Sequence, residues 1–406
     1  MGYRRRPLAI HGGEPVREQK LNARVLIDPQ TRAKVLDLLD NGIYSGWYGG
    51  PISHEFEDAF SAYHGPGFHS VAINSGTSAL HVVCAALDLA PTDEVIVPAA
   101  AYQSAASVVV QLGAVPVIAD VRPDTFTLEV TTVRRLLTPR TRAVMVVHFF
   151  GCPTEMQPLR ELCQERGLVL IEDCAQAHGA RVHDARIGMF GDLACYSFAP
   201  RKHIGTGEGG MVMTRSSELR DLIRSLVNRG KGPEYPQYDR LGFSYVMPEF
   251  SALLGLDGLA KLDDEISART AAARVYRERL QDSGLGMPAE PPWGQHIYFK
   301  FPILLPPEQA PYLMTVVEAL LAENVGCRQS HPPLAHIKWL HEYVQTRLHR
   351  SPECPQADEV IPRLFEVDTG PLIDEREAHR NADAVLKVWD YLQSLPERRG
   401  QGQAAR

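Results

Sequence analysis

Short apolar runs alternate with stretches of helical spacing from about residue 70 to residue 214. Val71-Ala72-Ile73, Glu94 to Val97, Val115 to Ile118, Ala143 to Val147, Val169 to Asp173, Leu193 to Phe198 and Gly210 to Thr214 each read as a strand. Between them, apolar residues recurring at helical intervals predict helices over 77–87, 102–112, 133–137 and 155–166. Repeated β-α units of this kind predict an α/β fold with a mostly parallel central sheet and helices on both faces. Ligands of such sheets bind at the carboxyl ends of the strands. Asn74, Pro98, His148, Asp173 and Phe198 fall at or near those ends.

The pattern changes after Pro248-Glu249, which opens a long helical stretch with Leu253, Leu256, Leu259, Leu262 and Ile266 at helical spacing. These leucines read as the packed face of an interdomain helix. Proline and glycine crowd residues 284–294, the expected junction to a smaller C-terminal domain. The expected division is 1–250 for an N-terminal segment and large α/β domain, and 251–398 for the interdomain helix and small domain. Residues 399–406 form a polar tail expected to be disordered. No internal repeat is visible.

A chain of 406 residues has room for one large and one smaller domain. Its net charge of −7 argues against non-specific nucleic-acid binding, which needs a basic face. No apolar run reaches the length of a membrane span. Tyr3-Arg4-Arg5-Arg6 is followed by His11-Gly12-Gly13-Glu14 where a signal peptide would be apolar. The seven cysteines are scattered without a CxxC pair, and the histidines lack metal-ligand spacing. A cytoplasmic protein with reduced thiols and no metal is expected.

The chemistry is concentrated around Lys202. It follows a strand through Ser197-Phe198-Ala199-Pro200-Arg201 and precedes the glycine-rich Gly205-Thr206-Gly207-Glu208-Gly209-Gly210. A lysine held between strands loses solvation and can react as a free amine with a carbonyl. Asp173 ends a buried strand upstream, where a carboxylate is costly unless paired. An amine for an aldehyde and an acid for a pyridinium nitrogen are what pyridoxal 5'-phosphate requires. Asn74-Ser75-Gly76-Thr77-Ser78 joins a strand to a helix, either as a phosphate seat at the helix N-terminus or as an ordinary N-cap. Ser197 can add a hydroxyl to the same phosphate. Tyr102 either lies against a flat heterocycle or packs in the core. Gln176 and His178 are either structural polar groups or cofactor contacts, the glutamine reaching the phenolic oxygen.

Together these segments resemble the DegT/StrS-type sugar and cyclitol aminotransferases, whose fold is the aspartate aminotransferase fold (type I). The resemblance runs from Ile10-His11-Gly12-Gly13-Glu14-Pro15 to Cys354-Pro355-Gln356-Ala357. It rests on Ser75 to Leu80, Asp93 to Pro98, Ile171 to Ala180, Gly191 to Phe198 with Lys202, and Gly207 to Gly210. It implies that Lys202 is the Schiff-base lysine and Asp173 the pyridinium partner. Gln176 then contacts the phenolic oxygen, Tyr102 stacks on the ring, and Gly76, Thr77 and Ser197 hold the phosphate. It also implies a homodimer whose two active sites are shared across the interface.

The chain departs from that pattern at Ser244-Tyr245-Val246-Met247, where relatives usually carry Asn-Tyr-Arg-Met. The segment normally reaches the partner's site, so Ser244 is expected to touch the neighbour's phosphate. Val246 supplies no cation, and Arg229 is the candidate replacement. Relatives also often carry His in place of Arg229 and Tyr in place of His331. The expected reaction moves an amino group from glutamate or glutamine to a keto-cyclitol or keto-sugar in antibiotic-type secondary metabolism. The alternatives are another PLP reaction, such as dehydration or an aromatising aminobenzoate-type synthesis, and a non-enzymatic regulatory relative.

Overall fold

A computed structural model describes residues 7–21, 27–45, 50–232 and 237–394. The tail 399–406 lies outside the described residues.

The strands are, in chain order, β1 (His69–Ile73), β2 (Glu94–Pro98), β3 (Val115–Ala119), β4 (Thr141–Val147), β5 (Val169–Asp173), β6 (Arg181–Val182), β7 (Ala185–Arg186), β8 (Leu193–Ser197), β9 (Gly210–Thr214), β10 (Gly294–Gln295), β11 (Phe301–Leu304), β12 (Cys327–Gln329) and β13 (Leu364–Val367). Seven of them form the main sheet in the order β1-β9-β8-β5-β4-β2-β3. Only β9 runs against its neighbours, pairing antiparallel with β1 and β8. The sheet is therefore mostly parallel, as the sequence pattern requires.

Both faces are covered because successive side chains of a strand point to opposite sides. Val95 and Val97 enter one apolar core, with the helices Gly76–Ala86, Ser104–Gln111 and Ser217–Val227. Ile96, between them, enters the other, with the helices Pro51–His64, Met156–Arg166 and Glu249–Ala260. No helix among the described residues is long and apolar enough to cross a membrane.

The helical stretch after Pro248 is two helices, Glu249–Ala260 and Leu262–Leu280, because Lys261 leaves helical geometry at φ −105° and ψ 1°. Leu253, Leu262 and Ile266 are buried as the spacing implies, while Leu256 and Leu259 are half-buried. Beyond them, β11, β13 and β12 form an antiparallel sheet packed on the helices Leu262–Leu280, Leu313–Ala322 and Glu375–Ser394 in a third core.

Packing crosses residue 250 in both directions. Leu8 and Val16 belong to the third core, and Leu334, Leu340 and Val344 to the first. The N-terminal strap is fixed by Glu323, wholly buried, whose carboxylate accepts the N–H groups of Ala9 and Val16. Lys387, also wholly buried, neutralises it at 2.8 Å.

Candidate active site

Strands β4, β5 and β8 run parallel; β4 and β5 end level, with Val147 opposite Asp173, and β8 runs on from Cys195, opposite Asp173, to Ser197. Asp173 closes β5 and is buried. Its Oδ1 accepts the Ala175 N–H at 3.0 Å. Burial pushes its proton affinity up, against that hydrogen bond and the nearby charges of Lys202 and His148.

Lys202 lies in the turn after β8. The turn is tied down by Lys202 N–H to Ala199 O at 2.9 Å, Thr206 N–H to Phe198 O at 2.8 Å and Phe198 N–H to Gly209 O at 2.8 Å. Nζ sits 4.5 Å from the centroid of the Phe299 ring. Desolvation lowers its pKa to about 8, opposed by the attraction of Asp173. Such an amine is partly uncharged near neutral pH, the form that attacks a carbonyl. A cavity of 390 Å³ opens beside it, walled in part by Arg201, His203, Arg269, Lys300 and Asp368.

Beyond the end of β8 stands the N-terminus of helix Gly76–Ala86. Ser75 caps it, its Oγ accepting the Ser78 N–H at 3.1 Å. Gly76 is pressed against Ser197: a Cβ there would lie 2.5 Å from Ser197 Cβ and 3.0 Å from its Oγ. Only glycine permits that approach, which brings the Ser197 hydroxyl beside the first free N–H groups of the helix. Thr77 occupies the next position. The result is an anion seat with a backbone and a hydroxyl component. The Oδ1 of Asn74, just ahead of it, is buried without a hydrogen-bond partner among the described residues.

Gln176 accepts the Phe150 N–H at 2.8 Å through Oε1, which directs its amide NH₂ elsewhere, with no acceptor among the described residues. Tyr102 is not in the core. It is 45% exposed and meets the His331 ring edge-on at 5.1 Å. Burial, Arg328 and Lys202 all lower the His331 pKa, which places this imidazole in the same electrostatic neighbourhood. His178 is buried, neither ring nitrogen meets a well-formed hydrogen-bond partner among the described residues, and burial lowers its pKa to about 3, so it is neutral.

Ser244 is not joined to this group. It is exposed and accepts a hydrogen bond from Arg229 at 2.9 Å, while the neighbouring Tyr245 carbonyl accepts the Asn74 N–H at 2.8 Å. His148, Glu172 and Cys174 converge closely enough to suggest metal ligands. Their donors are already committed. Glu172 accepts the backbone N–H groups of Gly188, Phe190 and Gly191, and His148 Nε2 lies 3.2 Å from it. Thr154 N–H donates to His148 Nδ1, so the ring proton is on Nε2 and points at the carboxylate. Burial holds the Cys174 thiol well above its usual range, in the protonated form that ligates poorly. This cluster braces the end of β5.

Three further residues act on Lys202 that sequence reasoning had not singled out: Arg328, Glu366 and Lys300. The one signal is the short polar-apolar alternation of Phe365-Glu366-Val367-Asp368, for Glu366 alone. Which face that alternation addresses depends on strand pairing distant in sequence.

A family profile described as the DegT/DnrJ/EryC1/StrS aminotransferase family matches residues 26–386. A UDP-N-acetyl-3-dehydro-α-D-glucosamine 3-aminotransferase of Acidithiobacillus ferrooxidans is 34% identical over 321 residues, covering 79% of this chain and 84% of that protein. An L-glutamine:2-deoxy-scyllo-inosose aminotransferase of Streptomyces fradiae is 35% identical over 294 residues, 69% of each chain. The solved structure of Streptomyces venezuelae DesV superposes with a TM-score of 0.79 at 31% identity, covering 90% of this chain and 98% of that one.

Proposed function

The chain belongs to the DegT/DnrJ/EryC1/StrS aminotransferase family, pyridoxal 5'-phosphate enzymes of fold type I, and we propose that its reaction carries an amino group from glutamine or glutamate to a ketone on a cyclitol or sugar of secondary metabolism. The observation that carries this reading is a half-buried, easily deprotonated Lys202 in the turn after β8, close enough to feel the charge of the buried Asp173 at the end of β5. The acceptors named for the Acidithiobacillus and Streptomyces fradiae relatives, a nucleotide-linked keto-sugar and a keto-cyclitol, support the acceptor class. The second also names L-glutamine, which supports the donor.

The residues fit the cofactor in charge and shape. Asp173 is a buried carboxylate awaiting a cationic partner, Gly76 and Ser197 form a cradle that a Cβ would fill, and the Gln176 amide is free to donate to a phenolic oxygen. Thr77 adds to the phosphate seat, and the exposed Tyr102 ring is available to flank the heterocycle. When bound, pyridoxal 5'-phosphate supplies an electron sink for the carbanion formed at the donor's α-carbon.

Everything else falls to the protein. Lys202 would hold the cofactor through its carbonyl, and its amine, once free, would serve as base and acid for the proton on the reacting carbon. Asp173 keeps the pyridine nitrogen protonated. Phe299 packs on the lysine end, and desolvation leaves that amine only weakly basic. We place a second copy of the chain against the face bearing Ser244 and Arg229, with Ser244 completing the neighbour's phosphate seat. Tyr238 and Leu241, large and exposed next to that pair, favour a covered surface there.

A half-reaction screen tests the proposal. Each amino acid is added to the holoprotein without an acceptor, and conversion is followed by the loss of cofactor aldehyde absorbance. Glutamine or glutamate should bleach it; a protein that responds to no amino acid is not a transaminase.

A further inference from the structure

β3 is the last strand of the main sheet, yet it is buried along its whole length. It pairs only with β2, in parallel. Val115 N–H donates to Asp93 O at 2.9 Å, and Ala119 O accepts the Ala99 N–H at 2.7 Å. Residues 115, 117 and 119 therefore spend their backbone groups on β2, and residues 116 and 118 present theirs on the opposite side. Nearly all buried backbone groups find a partner. Just upstream that rule is obeyed: the Tyr343 hydroxyl donates to the carbonyls of Gly113 and Ala114, and Arg347 to that of Gly113. Ile118 breaks it. The residue is 4% exposed, and neither its N–H nor its carbonyl has a hydrogen-bond partner among the described residues.

The side of β3 turned away from β2 borders a cavity of 470 Å³. Its other walls are the helices Val130–Leu136 and Lys338–Leu348 and the loop that follows the second. It shares no lining residue with the cavity beside Lys202. Ile118, Leu136, Val344 and Leu348 make it apolar within. Arg135 and Arg350 stand at its rim, both exposed and in no ion pair among the described residues. Arg135 makes one long contact, 3.3 Å to Thr132 Oγ1. The acids nearby do not cancel them. Asp120 is occupied by the N–H groups of Gln356 and Ala357, and the exposed Glu353 pairs with neither arginine.

We propose that this cavity is a second ligand site, built for a small N-acylated apolar amino acid. Ile118 needs an acceptor and a donor side by side, and one amino-acid unit supplies both as a single added rung of the sheet. A longer strand is excluded, because Pro116 has no N–H for the next rung. The ligand's side chain meets Leu136, Val344 and Leu348. Its carboxylate accepts from the Ile118 N–H and from the two guanidinium groups. Its nitrogen must be acylated, because an ammonium would be set against apolar walls and two arginines. Inorganic phosphate would meet the arginines but leave those walls bare.

Calorimetry on the holoenzyme with N-acetyl-L-leucine tests this, since the blocked amine cannot react with the cofactor aldehyde. N-acetyl-L-leucinamide is the uncharged control. The acid should bind once per chain, and Arg350→Gln and Arg135→Gln should each raise its Kd by about 10-fold or more, the scale of one charge-assisted hydrogen bond. The leucinamide should bind the unaltered protein more weakly and be indifferent to both substitutions. Leu348→Trp, which fills the cavity from a half-buried position, should remove binding while the half-reaction KM and kcat stay as they were. Hydrogen exchange at the Ile118 amide should slow when the acid is bound. The inference is overturned by the absence of saturable heat, by a Kd that none of the three substitutions moves, or by an Ile118 amide indifferent to the acid. Displacement of the acid by glutarate would overturn it too, by placing the probe in the Lys202 cavity.

Discussion

Arg229 donates from Nη2 to the Oγ of Ser244 at 2.9 Å, with its Nη1 on Asn228 Oδ1 at 3.0 Å. Arg229 holds a left-handed backbone, φ 65°, which a non-glycine residue adopts only when surrounding contacts fix it. The pair is therefore a positioned unit on an exposed rim. If it completes a neighbour's site, the protein is a dimer in solution, and Ser244→Ala weakens cofactor retention by about 10- to 100-fold, the loss of one hydrogen bond to a charged acceptor. Arg229→Ala should act in the same direction, and the double variant should lose less than the sum, because one residue works through the other. Mixing Lys202→Ala with Ser244→Ala subunits should restore activity, since one site of each heterodimer then carries neither change. A monomer by light scattering, or a mixture no more active at limiting cofactor than the average of its parents, would remove Ser244 from the site.

Asp173→Asn is close to isosteric and keeps the Ala175 N–H bonded, so the fold should survive. What is lost is the charge that holds a pyridine nitrogen protonated. Half-reaction rates should fall by about 100-fold or more, the usual scale for disabling proton transfer at a reacting carbon. Lys202→Ala should abolish turnover while leaving phosphate-anchored cofactor binding. Borohydride reduction and peptide mapping of the unaltered protein should find the pyridoxyl group on Lys202. A label on another lysine would displace the whole assignment.

The parts of this site legible in the sequence are those carried by single strand ends. β5 and β9 have the bounds their apolar runs imply, and Asp173 and the turn bearing Lys202 follow from them directly. Gly76 and Ser197 were visible as candidates for the same phosphate, and the fold adds that they touch. Arg328 and Glu366 were not visible, because their meaning lies in the pairing of β12 with β13, strands of three and four residues too short for alternation to stand out. The break at Lys261 also left no mark: neither proline nor glycine occupies it, and Leu256, Leu259 and Leu262 continue the helical pattern through it.

The lowered proton affinity of Lys202 gives a pH signature. An ordinary lysine is almost wholly charged at neutral pH, whereas one with a pKa of about 8 is uncharged in roughly a tenth of molecules at pH 7. The reactive form is the neutral amine. In protein stripped of cofactor, the rate of recombination with pyridoxal 5'-phosphate should therefore climb nearly tenfold per unit below pH 8 and level off above it. The sign follows from burial disfavouring the ammonium, with Asp173 pulling the other way. Asp173→Asn should consequently shift the inflection to lower pH. A rate still rising steeply beyond pH 10 would mean that the amine is solvated as on any surface.

The last prediction concerns stability and the strap that closes the small domain. Glu323 and Lys387 are both wholly buried and 2.8 Å apart, and the same carboxylate accepts the N–H groups of Ala9 and Val16. Lys387 also donates to the Glu14 carbonyl at 3.1 Å. Removing one partner of a buried ion pair strands the other charge in a low-dielectric interior, which costs about 3–5 kcal/mol. Lys387→Met should destabilise by that amount in denaturant titration, because the thioether fills much of the volume and leaves Glu323 uncompensated. The double change Lys387→Met with Glu323→Gln should recover most of it, since a neutral amide still offers one oxygen to the strap and no stranded charge remains. If the single change costs less than about 1 kcal/mol, typical of exposed ion pairs, then water reaches the pair and the strap is not anchored by a buried charge.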